Sequence, residues 1–263
     1  MLAPIEDCTD TALRTLCFNH GADLTFTEFA RIDGLAKKNK ETWKLIELKN
    51  STPTQIQILP DKVGKLEQFL KIFKPTEGFK GFNLNYGCPD PNVVAAGRGC
   101  AMIKDVSKTD KMVELIKRFN YPVSIKMRLG ATNLEKSNKV YLDLVKETNP
   151  DFFIVHARSG EQNYSIAPDY SVFEELVQTG KDIIANGNID TISRVNELKQ
   201  IGVNGVMIGR EAVRNPAIFD LLKGKSSPSF ESLKLEYTEL AKKYGSLPRS
   251  QKKVLMRIGE QKN

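Results

Sequence analysis

The chain has 263 residues, 40% hydrophobic and 27% charged, with a formal net charge of +7, enough for one sizeable core and close to the usual size of an α/β barrel. Its four cysteines, Cys8, Cys17, Cys88 and Cys100, show no C-x-x-C spacing, and with only two histidines no metal centre is expected. No apolar run reaches the length of a membrane span and the start does not read as a signal peptide, so a cytoplasmic, reduced protein without membrane association is expected.

Taken in order, the chain alternates strand and helix patterns. Leu2-Ala3-Pro4 reads as a short first strand, and Thr9 or Asp10 caps a helix through His20. Leu24-Thr25-Phe26-Thr27 is a second strand, ending at Glu28 before a helix that reaches the Lys37-Lys38-Asn39-Lys40 run. Trp43 to Leu48 alternates and predicts a hairpin arm leading into the third strand around Gln55-Ile56-Gln57-Ile58-Leu59. Val63, Leu66, Phe69, Leu70 and Phe73 fall at helical spacing within 61–73. Gly81-Phe82-Asn83-Leu84 is the fourth strand. Helix 107–119, strand 123–127, helix 134–148, strand 152–156, helix 170–178, strand 182–185, helix 191–200, strand 205–208 and helix 211–222 follow. Eight strands alternating with helices predict a closed parallel (β/α)₈ TIM barrel, because an open doubly wound sheet would bring a G-x-G-x-x-G after its first strand.

Residues 223–263 break the alternation: two helical stretches, 230–244 and 250–260, flank Gly245-Ser246-Leu247-Pro248. They also break the charge balance. Residues 1–222 carry 29 Lys+Arg against 28 Asp+Glu, whereas 223–263 carry ten against four. Two domains are expected, a barrel over 1–222 and a short basic helical segment over 223–263. The basic segment is either a solvated helical face or a contact surface for a polyanion, with nucleic acid ahead of membrane.

The barrel's chemistry is expected at the C-terminal ends of its strands. The stretch Asn83-Leu84-Asn85-Tyr86-Gly87-Cys88-Pro89 delivers a thiol there, since Gly87 lets the chain turn and Pro89 stops the strand. A second Gly-rich run, Ala95-Ala96-Gly97-Arg98-Gly99-Cys100-Ala101, follows within a dozen residues. The other ends offer Ala3-Pro4, Glu28, Gln57, Lys126 with Arg128, His156 with Arg158, Asn186-Gly187-Asn188, and Gly209-Arg210. Each has a structural explanation taken singly: a packed cysteine, a lysine paired with a barrel carboxylate, a satisfied core histidine. Together they are cations and amides with few carboxylates, suited to an anionic or carbonyl-rich ligand. Asn186-Gly187-Asn188 and Gly209-Arg210 are helix-opening turns after strands seven and eight, the usual place for a phosphate in a barrel.

As a set, these residues resemble the flavin-dependent tRNA-dihydrouridine synthases. The resemblance rests on Leu2-Ala3-Pro4 with Glu6, Thr9 and Asp10; Asn85-x-Gly-Cys88-Pro89; Lys126-x-Arg128-x-Gly130; His156-Ala157-Arg158; Asn186-Gly187-Asn188-Ile189; and Gly205 to Arg210 with Asn215-Pro216. It implies an FMN-bearing catalytic barrel and a helical tRNA-binding segment. The implied reaction reduces the C5=C6 bond of particular tRNA uridines, with hydride from FMNH2 to C6, a proton from Cys88 to C5, and NADPH as electron source. It places Ala3, Pro4, Gln57, Lys126, His156, Asn186, Gly187, Asn188, Gly209 and Arg210 around the flavin, and Asn85, Arg128 and Arg158 at the uracil. A positioned thiol is a competent general acid, and the base must leave its stack to reach the barrel mouth. Lys242, Lys243, Arg249, Lys252, Lys253 and Arg257 are the expected tRNA contacts, and a monomer is expected.

The chain departs from the family pattern in Ile5, where methionine is usual, in Cys8, and in a tail shorter than the family's helical domain. Two other readings stay open on the sequence: an FMN-dependent oxidoreductase of free pyrimidines, of the dihydroorotate dehydrogenase type, and a non-catalytic tRNA-binding module.

Overall fold

Phe82-Asn83-Leu84-Asn85-Tyr86 alternates large apolar residues with amides, and all five are buried. Such a strand needs an apolar layer on one side and a polar one on the other. The computed structural model, which describes residues 1–261, supplies both by curling a parallel sheet.

Its strands are β1 (Thr25–Phe26), β2 (Ala30–Arg31), β3 (Thr54–Leu59), β4 (Phe79–Tyr86), β5 (Val123–Met127), β6 (Phe152–His156), β7 (Ile183–Asn186) and β8 (Gly205–Met207). They pair in the order β1-β3-β4-β5-β6-β7-β8, and β2 extends the line of β1 along β3. The N-terminal stretch joins the two edges. Leu2 forms a parallel bridge with Ile208 and donates its N–H to Leu24 O at 2.9 Å, while Ala3 N–H reaches Ile208 O at 2.7 Å. With that stretch as one stave and β1 and β2 as another, the sheet closes as the expected (β/α)₈ TIM barrel.

Closure sorts the side chains. Ile56, Ile58, Phe82, Leu84, Tyr86, Val123, Ile125, Met127, Phe153 and Val155 face outward into one apolar layer shared with the surrounding helices. Inside, Phe26, Ile154, Ile184 and Met207 form a separate small cluster with Ala3. The β3–β5 side of the interior is polar instead. Ser124 Oγ donates to Gln55 Oε1 (2.5 Å), Asn83 Nδ2 to Ser124 Oγ (2.7 Å), Gln57 Nε2 to Asn83 Oδ1 (2.7 Å) and Asn85 Nδ2 to Gln57 Oε1 (2.8 Å). This ladder satisfies buried amides that would otherwise be costly.

Three predicted elements differ. The hairpin arm at Trp43 to Leu48 does not form. Lys40–Lys44 is a short helix capped by Asn39, whose Oδ1 accepts from Thr42 N, and Trp43 packs edge-on against Phe69 at 5.7 Å. Here the alternation in the sequence reflects one half-buried face of a helical turn. Helix 134–148 is broken into Asn133–Ser137 and Val140–Glu147 by Lys139, which is left-handed at φ 56°. Helix 211–222 is likewise two pieces, Arg210–Arg214 and Ile218–Leu222, because Pro216 cannot continue a helix.

Beyond the barrel, the helix Phe230–Tyr244 buries Leu233, Tyr237 and Ala241, and the helix Pro248–Arg257 buries Val254, with Ile258 just after it. All five residues belong to the same apolar cluster as the barrel's outer layer. Polar ties reinforce the packing: Tyr237 Oη donates to Asp10 Oδ2 (3.3 Å), and Glu236 meets Asn19 Nδ2 (3.0 Å) and His20 Nε2 (2.8 Å). Gly245, left-handed at φ 65°, makes the turn between the two helices.

Candidate active site at the barrel mouth

The strand ends gather in one place, and the loop after β4 is the most tightly built of them. Asn85 Oδ1 accepts from the N–H groups of Gly87 (3.1 Å) and Cys88 (3.0 Å), so one amide shapes the turn that carries the thiol. Cys88 is half-buried, whereas Cys8, Cys17 and Cys100 are buried. Burial raises the Cys88 pKa above its ordinary 9.0, which keeps the thiol protonated at neutral pH.

Lys126 is the last residue but one of the neighbouring stave, in register with Asn85. Among the described residues it has no hydrogen-bond or ion-pair partner. Burial first, and Arg128 second, lower its pKa to about 8. An ammonium kept without a carboxylate, beside another cation, awaits an anion or a carbonyl. Arg128 is itself buried and spends Nε on Gly87 O (3.2 Å) and Nη1 on Ser159 O (2.6 Å) and Gln162 O (3.0 Å). It braces the Cys88 loop against the loop after β6, and its Nη2 has no partner among the described residues.

His156 ends the next stave, and Arg158 lies just past it. Arg158 Nη1 lies 3.1 Å from His156 Nε2. A guanidinium only donates, so Nε2 accepts and the ring proton sits on Nδ1. His156 is kept neutral: burial lowers its pKa well below 6.5, and Lys126, Arg128, Arg158 and Arg210 add to the effect. Arg158 is fully buried, and its other bonds go to Ile166 O (2.6 Å) and Tyr164 O (3.4 Å) of its own loop. The sequence reading puts Arg158 at the substrate; in this structure its guanidinium ties His156 to the loop that follows β6.

The two turns after β7 and β8 meet beside His156. Gly187 has φ +123°, and an added Cβ there would lie 3.0 Å from His156 Cδ2. Asn188 is left-handed at φ 47°, and its Oδ1 accepts from Arg210 Nη2 at 2.8 Å. Asn186 Nδ2 anchors to Met207 O at 2.8 Å, and Gly209 passes 3.6 Å from Ala3 Cβ by the same measure. Asn186, Asn188, Gly209 and Arg210 line a cavity of about 250 Å³ together with Tyr164. Ala3 is buried and Pro4 half-buried at the rim, and Gln57 closes the floor within the amide ladder.

Tyr164 is the residue that sequence reasoning missed. Its ring lies under the Arg210 guanidinium at 3.8 Å, near that of Arg158 at 5.7 Å, and stacks on His156 at 6.2 Å. An aromatic eight residues past the end of β6, in a loop opened by a histidine and an arginine, was the available signal. Tyr170 was missed too; its hydroxyl donates to Gly187 O and fixes the turn after β7.

Residues 1–261 match the family described as dihydrouridine synthase (Dus). The chain belongs to that family. It is a family of flavin-dependent oxidoreductases on the TIM-barrel fold. The probable tRNA-dihydrouridine synthase 2 of Bacillus subtilis (strain 168) is 29% identical, covering 95% of this chain and 82% of that protein. A Homo sapiens tRNA-dihydrouridine(47) synthase [NAD(P)(+)]-like protein is 28% identical over 84% of this chain, which spans 35% of its length. Among solved structures, morphinone reductase in complex with tetrahydroNAD superposes with a TM-score of 0.57 at 13% identity, over 91% of this chain and 92% of that one. This last likeness shows the barrel fold.

The tail cations divide into two groups. Arg249 Nε and Lys253 Nζ pair with Asp7 at 3.2 and 3.0 Å. Lys242, Lys243 and Lys252 are exposed, and Arg257 is half-buried. Between the tail and the barrel runs a cleft of about 600 Å³, bordered by Arg14, Glu28, Lys49, Tyr244, Leu247 and Arg249 among others.

Proposed function

We propose that this dihydrouridine synthase reduces the C5=C6 bond of uridines in tRNA using FMN and NADPH, with Cys88 as proton donor. The observation that carries the reading is the protonated, half-buried thiol of Cys88 set one stave from the unpaired ammonium of Lys126.

The residues fit an FMN. Gly187 is a cradle that a Cβ would fill, Asn188 holds Arg210 beside it, and Lys126 lacks a counter-charge. Asn186, Gly187, Asn188, Gly209 and Arg210 would hold the phosphate, and Ala3, Pro4, Gln57, Lys126 and His156 would border the ring and ribityl chain. When bound, the flavin supplies hydride to uracil C6 and is recharged by NADPH.

The remaining work belongs to the chain. Cys88 holds a proton for C5. Lys126, with its lowered pKa, stabilises negative charge at the ring edge, a contribution on the order of a few kcal/mol for such a positioned group. Asn85 keeps one amide N–H beyond its bond to Gln57, and Arg128 keeps Nη2, so both can meet uracil carbonyls while holding the Cys88 turn. Arg158 acts through His156 and the loop it ties together. The exposed Lys242, Lys243 and Lys252 are the tail's readiest phosphate contacts, Lys243 lying over the Tyr244 ring at 5.2 Å. Arg249 and Lys253 join them by exchanging Asp7 for phosphate, and Arg257 lies alongside. The helices Phe230–Tyr244 and Pro248–Arg257 thus form a tRNA-docking unit on a catalytic barrel, acting as a monomer in the cytoplasm.

The test is to load the purified protein with FMN, supply NADPH, and quantify dihydrouridine in unmodified tRNA against product from free uracil and orotate. Turnover confined to tRNA is expected. Turnover of the free pyrimidines alone would overturn the substrate, and a protein that binds tRNA but no flavin would overturn the chemistry.

A further inference from the structure

The Gly-rich stretch 95–101 lies directly against the Cys88 loop, and nothing in the flavin or base chemistry uses its side chains. Cys100 N–H donates to Cys88 O at 3.1 Å. Gly99, left-handed at φ +59°, approaches so closely that an added Cβ would lie 2.4 Å from Cys88 O and 3.1 Å from Cys88 Cβ. Only glycine allows that approach.

The residue before it, Arg98, is anchored elsewhere. Its Nη2 lies 2.7 Å from Asp33 Oδ2 and 2.9 Å from Asp61 Oδ2. Lys65 pairs with both of the same carboxylates, reaching Asp61 at 2.9 Å. Asp33 sits in the short helix Ile32–Ala36 after β2, and Asp61 follows β3, so one guanidinium ties the loop after β4 to those of the two preceding staves. The Arg98 side chain is only 16% exposed, and its Nε is buried with no hydrogen-bond partner among the described residues. Leaving such a donor orphaned is unfavourable, which makes this cluster a poor stabiliser and a good fixer of geometry.

We infer that Arg98, held by Asp33 and Asp61, is a positioning residue for Cys88: it presses Gly99 and Cys100 onto the Cys88 carbonyl and so fixes the direction of the thiol. The inference rests on Cys88 being the proton donor, and the experiment separates the two claims. Arg98→Gln, Cys88→Ala and the double variant are compared for dihydrouridine formed per bound flavin, tRNA KM, NADPH oxidation without tRNA, and melting temperature. Alkylation of Cys88 by iodoacetamide is followed against pH, the other three cysteines being buried.

Arg98→Gln is expected to lower dihydrouridine formation by ~10–100-fold, as a displaced catalytic group does, with KM and NADPH oxidation unchanged. Its alkylation profile should move to lower pH, because a loosened loop lets water reach the thiol. In the Cys88→Ala background it should cause no further loss. Full turnover per flavin with only a lower melting temperature would overturn the positioning role, as would losses that multiply in the double variant. An active Cys88→Ala protein would instead remove the donor assignment, and the positioning role with it. If Arg98→Gln fails to load flavin, Gly99→Ala probes the same approach without touching a charge, with the same expected pattern and the same overturning results.

Discussion

Cys88 and Lys126 carry opposite consequences of the same burial. For the thiol, burial raises the pKa, so the proton that the proposed mechanism takes from Cys88 is present through neutrality and is lost only as pH rises past the ordinary 9.0. Dihydrouridine formation is therefore expected to be level around neutral pH and to decline on the alkaline side, a profile that stopped-flow mixing with tRNA would record. Cys88→Ala should keep its flavin and its NADPH oxidation while uridine reduction falls by ~10²–10⁴-fold. Unchanged turnover with lower stability would mean a packing cysteine. For Lys126, whose pKa falls from 10.5 to about 8, the unfolded chain holds the proton more tightly than the native one. Native stability without flavin should therefore rise as pH climbs from about 8 to 10.5. Lys126→Met should remove that rise, stabilise the flavin-free protein by on the order of 1–3 kcal/mol at pH 7, and weaken flavin binding. Urea melts across that pH range, with a flavin titration, would show whether the two changes go in opposite directions.

At the scale of elements, the turn after β7 concentrates the phosphate prediction. Gly187→Ala combines a disfavoured φ of +123° with a Cβ 3.0 Å from His156, so it should abolish flavin retention while the barrel still folds. A yellow protein with native flavin content would place the phosphate elsewhere. This turn was legible in the sequence because glycine and asparagine at a strand end have few other uses. The staves were legible as well, since period-two alternation in Phe82 to Tyr86 or Gln55 to Leu59 has no helical reading. The stretch Trp43 to Leu48 was not: a single helical turn and a short strand both show one apolar residue in two or three, and Asn39 alone capped the difference. Nor were the carbonyl partners of Arg128 and Arg158 visible, because they belong to loops that carry no pattern. The residue types at the mouth could be read, but not which of their donors remain free.

For the whole molecule, the question is where the basic excess acts. Lys242, Lys243 and Lys252 are exposed, while Arg249 and Lys253 already hold Asp7. Replacing the three exposed lysines by Gln should raise the tRNA Kd and reduce the salt dependence of log Kd by somewhat under one unit for each phosphate no longer neutralised. FMN content should not change. Asp7→Asn, which frees the paired cations, should act in the opposite direction and strengthen binding. A salt slope indifferent to both changes would move the docking surface to the barrel rim. The closure of the barrel carries a consequence for how the chain matures. Leu2 completes the sheet by pairing with Ile208, and the Met1 amine reaches Val206 O across 205 residues of sequence. Until β8 leaves the ribosome, that first stave has only one of its two neighbours and the growing sheet has no closing partner. For most of synthesis the nascent chain therefore carries open strand edges, the kind of surface that chaperones shield and that pairs wrongly between neighbouring copies.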